Sequence, residues 1–197
     1  MPNTNTATNV SAGKPAVNGA VFRAPLSQSL SIPTSATATL AAAFVGLGYV
    51  SDDGVKNTNS PSSQTIKAWG GDTVLVIQTE KPDEFELTLI ETLNKNVLSA
   101  VYGSTNVSGS IGTGITVNAN AKEAEEAAWV IDMVLRGDVL KRIVIPDGKV
   151  SNVAEINYSD EEAIGYQLTI SAMPDSSGNT HYEYIKKSAT SGGSGTS

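Results

Sequence analysis

Cysteine is absent from this chain and histidine occurs once, at His181. Without thiols there is no disulfide framework, no thiolate metal site and no cysteine nucleophile. Aromatic residues are scarce, at 6%. Long apolar runs are missing too: the longest, Leu40 to Val50, is interrupted by Gly46 and Gly48 and is far too short to cross a bilayer. Positive charge is also in deficit, with 13 Lys and Arg against 20 Asp and Glu, a formal charge of -7 and a pI near 4.7. A protein that grips nucleic acid by neutralising phosphates needs the opposite balance. The first residues, Met-Pro-Asn-Thr, lack the basic and apolar segments of an export signal. A soluble protein made in the cytoplasm, with no membrane span, is the expectation.

What is present is patterned. The 197 residues suffice for one domain with its own core. Residues 1–18 are polar and rich in Asn and Thr, and read as an N-terminal arm; residues 188–197 read as a flexible Gly/Ser/Thr tail. The domain is expected between them, at 19–187. Within it, Glu84-Phe85-Glu86-Leu87-Thr88-Leu89 alternates polar with apolar residues, as a half-buried strand does. The same period recurs through Trp129, Ile131, Met133 and Leu135, and through Tyr166, Leu168, Ile170 and Ala172. Residues 72–79 are apolar on both faces, at Val74, Leu75, Val76 and Ile77, which predicts a central strand. Further strands are predicted at 19–24, 43–50, 63–69, 139–145, 149–158 and 181–186.

Turn chemistry separates these segments. Ser51-Asp52-Asp53-Gly54, Gly70-Gly71, Lys81-Pro82-Asp83, Arg136-Gly137-Asp138, Pro146-Asp147-Gly148 and Asp175 to Asn179 carry the residues that tight bends need. Short, regularly punctuated strands predict a mainly β sandwich or barrel. One helix is expected over about 92–102, capped by Thr92, with Leu93, Val97, Leu98 and Val101 on one side and Gly103 closing it. It should pack across a sheet. Ala121 to Ala128 is open between a second helix and a polar lead-in to the Trp129 strand.

Chemistry is hard to find. His181 lies in an alternating segment with no evident orienting partner and reads as a strand residue rather than a general base. The acidic groups Asp52-Asp53, Glu123/Glu125/Glu126 and Asp160-Glu161-Glu162 do not match a calcium loop and read as solvated charge. Gly109 to Gly114 is followed by the strand-like Ile115-Thr116-Val117, so a loop or hairpin is expected there and not a phosphate cradle. Trp69 and Trp129 read as core or interface anchors. No catalytic, cofactor-binding or metal-binding residues are assigned, and no cofactor is expected.

The run SQTIKAWGGDTVLVIQTEKPDEFELTLIETLNKNVLSAVYG, from Ser63 to Gly103, resembles the major tail tube proteins of siphophages that infect Gram-positive, particularly actinobacterial, hosts. The resemblance continues through Trp129 to Met133, Lys141 to Val150 and Ala163 to Ala172. It implies a tail-tube-type fold and a structural virion protein, not an enzyme. Its subunits would form hexameric rings, stacked into a tube through which the phage genome passes without specific binding. Tape-measure and tail-terminator proteins are the further partners it implies. The polar segment Ser51, Asp52, Asp53, Gly54, Val55, Lys56, Asn57, Thr58 and Asn59 resembles the family's extended loop toward the adjacent ring, and also reads as a plain hairpin. For the lumen, Glu84, Glu86, Asp132 and Glu155 are candidates, because an acidic wall does not trap DNA. The alternative from another class is a monomeric β-sandwich binding module, an adhesin or capsid decoration.

Overall fold

The computed structural model describes residues 5–188 apart from 18 and 28. In chain order the strands are β1 (Lys14–Pro15), β2 (Val21–Pro25), β3 (Val45–Gly46), β4 (Val50–Asn59), β5 (Ser62–Lys67), β6 (Thr73–Glu80) and β7 (Asp83–Leu89). After the helix α1 (Lys95–Tyr102) come β8 (Val107–Ser110), β9 (Gly114–Val117), β10 (Ala127–Leu135), β11 (Val139–Val153), β12 (Tyr166–Ala172) and β13 (Tyr182–Lys187). Among the described residues the fold is mainly β, with α1 as the one α-helix.

One sheet runs β3-β2-β10-β11-β12-β7-β4, with β1 pairing β10 and β13 pairing β11. All of its pairings are antiparallel. Its spine is β11, 15 residues long. The first part of β11 pairs with β10 and β13, and the second with β12. Pro146-Asp147-Gly148, expected as a turn between two strands, is instead a bulge inside this one strand. The register steps from Trp129↔Ile145 to Ala127↔Gly148, which gives β11 one residue more than β10 at that point. A bulge tolerates a proline that has no N–H for the ladder. Gly148 fits closely there: an added Cβ would stand 3.0 Å from both Ile170 Cγ2 and Trp129 Cδ1, so any side chain would need these neighbours to give way. The Trp129 indole also donates to the Gly148 carbonyl at 3.2 Å.

The alternation in the sequence becomes two apolar layers. Phe85, Leu87, Leu89, Trp129, Ile131, Ile143, Ile145, Tyr166, Leu168 and Ile170 point into the main core, where they meet Val97, Leu98 and Ala100 of α1. A fully buried side chain of this size contributes about 1.5–3 kcal/mol. On the other face Ala24, Ala128, Val130 and Val144 pack with Phe44 and with Leu30, Ile32 and Leu40 of the chain between β2 and β3. That stretch, irregular and poor in pattern, is thus the cover of the second face. It is pinned by Arg142, which donates to the carbonyl oxygens of Ser35 at 3.2 Å and Ala38 at 2.6 Å.

Several expectations are revised. Helix α1 is capped by Asn94, whose side chain accepts from the Asn96 amide at 3.0 Å; Thr92 lies outside and Leu93 is exposed. Residues 121–126 are not helical, and the lead-in reading of that segment is the one found. Gly109 to Gly114 does belong to a hairpin, β8-β9. The described part of the arm, 5–17, is exposed except for the half-buried Ala16, and its Lys14 and Pro15 pair with Val134 and Met133 of β10. The tail at 188–197 lies outside the described residues beyond Ser188.

Candidate assembly surfaces

The largest revision concerns residues 72–79. They form β6, but β6 pairs only with β5, as a separate two-stranded sheet. Every residue from 60 to 82 is exposed. The predicted central strand is therefore half of an arm that stands off the body. The pairs Ile66↔Leu75 and Gln64↔Ile77 put Ile66, Leu75 and Ile77 on one face of the ribbon; Val74 and Val76 occupy the other. Trp69, at the tip, is fully exposed. The tip itself is a tight turn in which Gly71 N donates to the Ala68 carbonyl at 3.0 Å, and Gly70 and Gly71 adopt φ of 113° and 100°. Those angles favour glycine.

The segment expected as a loop toward the next ring, Ser51 to Asn59, is strand β4 at the free border of the large sheet. Its register jumps from Val50↔Leu89 to Val55↔Leu87, so Ser51, Asp52, Asp53 and Gly54 loop out of the ladder opposite Thr88. The turn chemistry read in the sequence survives as this bulge, with Gly54 at φ 73°. Val55, Lys56, Asn57, Thr58 and Asn59 are paired with β7 and are not a loop. With Val55 as their one apolar residue, they carry no alternation that would mark an edge strand.

Of the four lumen candidates, two share a surface. Glu84 and Glu86 stand on the side of β7 away from Phe85 and Leu87, in cross-strand rows with Thr58 and Ser171, and with Lys56 and Thr169. Lys56 Nζ lies 3.2 Å from Glu86 Oε1, and that partner, with a further hydrogen bond from Gln167, holds the exposed Glu86 carboxyl below its ordinary pKa. Ser171 Oγ donates to Glu84 Oε1 at 3.3 Å and lies 2.8 Å from Ser151 Oγ. The result is a polar, hydroxyl-rich sheet face with few cations. Asp132 is elsewhere, gripping Arg142 in a bidentate pair at 2.6 and 2.7 Å beneath the 35–38 stretch. Glu155 is exposed on the connection between β11 and β12.

The absence of an orienting partner for His181 is corrected too. Its Nδ1 lies 2.5 Å from Oδ2 of Asp83, whose side chain is 1% exposed. Thr180 Oγ1 donates to the same oxygen at 2.5 Å, and Asn57 Nδ2 to Oδ1 at 2.8 Å. Burial alone would raise the Asp83 pKa; the bonds from Thr180, Asn57 and His181, with the charge of His181, outweigh it and leave the carboxyl below its ordinary range. The imidazole packs edge-on against Phe85 at 5.2 Å. A depression of about 200 Å³ lies away from this pair, lined by Tyr102, Asn120, Lys122, Glu123 and residues 150–153. Its Glu123 is tied to Lys149 at 2.9 Å. Among the described residues, no group of three or more His, Asp or Glu is placed to hold a metal ion. No helix among them is long and apolar enough to cross a membrane.

An open sheet border, a looped-out bulge and an apolar arm exposed on both faces are the surfaces this protomer leaves uncovered. The chain belongs to the phage tail tube protein family: the family model described as "Phage tail tube protein" matches residues 6–194. No curated protein matches the sequence. Membership makes it a structural component of the virion tail that assembles with other tail components.

Proposed function

We propose that this chain is the repeating subunit of the tail tube and that its copies close into hexameric rings, stacked into the conduit for genome delivery. The observation that carries the reading is the arm. Ile66, Trp69, Val74, Leu75, Val76 and Ile77 form an exposed apolar ribbon that the protomer does not cover. An apolar patch of that extent marks a contact site. Its occupant is a second copy, because the family is one of self-assembling tail proteins. An arm meeting a different surface of the next copy is a head-to-tail contact, and such contacts close into rings when the rotation permits.

Other features fit this reading. The free border of β4 offers unpaired backbone groups to a neighbour. The bulge at Ser51–Gly54 supports a contact toward the adjacent ring, with Val55–Asn59 as its rooted base. Glu84 and Glu86, on their hydroxyl-rich face, suit a lumen past which phosphates slide without being held, and the exposed Glu155 is a further candidate. Asp132, committed to Arg142, is no longer one. A structural role without catalysis, synthesis in the host cytoplasm, and tape-measure and tail-terminator partners complete the proposal. The siphophage tail type and the Gram-positive, actinobacterial host stay with the resemblance in the Ser63 to Gly103 run.

Electron microscopy of the purified chain tests it. Rings or tubes are expected from the intact protein, and only dispersed protomers from Trp69→Asp/Leu75→Asp. A native chain that stays monomeric at every concentration would sink the reading in favour of a β-sandwich binding module.

A further inference from the structure

Both strands of the arm leave the body through a two-residue step that ends in proline: Ser60-Pro61 outward and Lys81-Pro82 on return. The last rung of the body ladder is Asn59↔Asp83, and the first rung of the arm is Ser62↔Glu80. Between them neither proline has an N–H to give, so the two ladders are not one continuous sheet. Whatever aims the arm must therefore act at the body-side rung.

That rung is built around Asp83. Its buried carboxylate collects Asn57 from β4, and Thr180 and His181 from the chain entering β13. Asn57 bridges further to the Glu84 carbonyl at 3.1 Å, and His181 is braced on Phe85. Three segments far apart in sequence are thus tied at one side chain, the residue that directly follows the Lys81-Pro82 step. Hydrogen bonds to a buried, ionised acceptor are the strong ones.

We infer that Asp83 is a positioning residue for assembly: its knot with Asn57, Thr180 and His181 fixes the direction in which the arm leaves the body, so that the arm meets its neighbour already aimed. Pre-aiming removes part of the ordering cost of association. The inference rests on the reading that the arm docks on a second copy. A residue that only stabilised the fold would lower the melting temperature without changing where the arm points in folded protomers.

The lack of cysteine makes the test clean, since Ala68→Cys at the arm tip and Ser159→Cys on the body are unique labelling sites. Both positions are exposed. Spin-label distances are measured on the full chain, diluted below assembly, for the native knot and for Asp83→Asn, His181→Ala and His181→Asn. A single narrow distribution is expected for the native knot. Broad or shifted distributions are expected for Asp83→Asn and His181→Ala, with the onset concentration for assembly raised about tenfold or more, equivalent to roughly 1.4 kcal/mol. His181→Asn, which restores a donor near the position of Nδ1, should bring both readouts back. Thr180→Ala removes one bond from the same oxygen and reads the same pose should Asp83→Asn not fold. Unchanged distances in folded variants overturn the inference, and so do broadened distances with undiminished assembly. Deleting 62–80 reads the underlying premise separately: an armless chain that still assembles overturns the docking reading, whatever the distances show.

Discussion

Strands β6 and β7 are neighbours in sequence and opposites in surroundings. In β7, Asp83, Phe85, Leu87 and Leu89 are buried while Glu84, Glu86 and Thr88 are half-covered. In β6, which has four apolar residues in a row, every residue is exposed. Apolar content therefore places a strand in some interior without saying whose. The alternating strand has one face covered by the protomer's own core; the run that is apolar on both faces has neither covered by the protomer.

The largest effect expected from this contrast is on assembly. Replacing 62–80 by a short Asn-Gly turn should abolish rings and tubes in electron microscopy while the protomer's melting temperature stays close to that of the native chain. A collapse of the fold on that deletion would erase the distinction between arm and body. The reverse experiment belongs in the body. Arg142→Ala leaves the half-buried Asp132 carboxylate without its partner and frees the 35–38 carbonyls, and should cost about 2–3 kcal/mol of protomer stability in urea unfolding. Gly148→Val forces a side chain between Trp129 and Ile170, and about 1–3 kcal/mol is expected.

A smaller effect comes from acid. The folded-state pKa of Asp83 is lowered, so its contribution is complete above the unfolded aspartate's value near about 4 and is lost as pH falls through the folded value. Unfolding curves at pH 7 and below about pH 4 should show the native protomer weakening, and Asp83→Asn weakening less steeply. An equal acid dependence in the two would show that Asp83 is not the group responsible. Smallest of all is Lys56→Ala on the solvated face, where exposed ion pairs contribute little. No resolvable change in melting temperature is expected, in contrast with Arg142.

Much of the body was legible because its strands announce themselves by period: the alternations at Phe85, Trp129 and Tyr166 each point into the main core. The helix begins two residues later than its sequence suggests, because Asn94 and not Thr92 supplies the cap. The single strand β11 reads in the sequence as strand-turn-strand at Pro146-Asp147-Gly148, since a bulge and a turn draw on the same residues. The partner of His181 was hidden, with Asp83 lying 98 residues away and reading as part of a turn. Glu84 and Glu86 fell together because period 2 fixes their face. Asp132 has the same alternation, but its pairing with Arg142 depends on the hairpin that brings β10 and β11 together.

The 15-residue length of β11 has a mechanical consequence. Since one unbroken backbone serves as a rung-bearer for β10 and β13 at its beginning and for β12 at its end, a pull applied to either portion is transmitted along a single covalent line. Within the large sheet no strand end divides these two portions, so under load they should yield together, while the separately paired β5-β6 arm need not share that load.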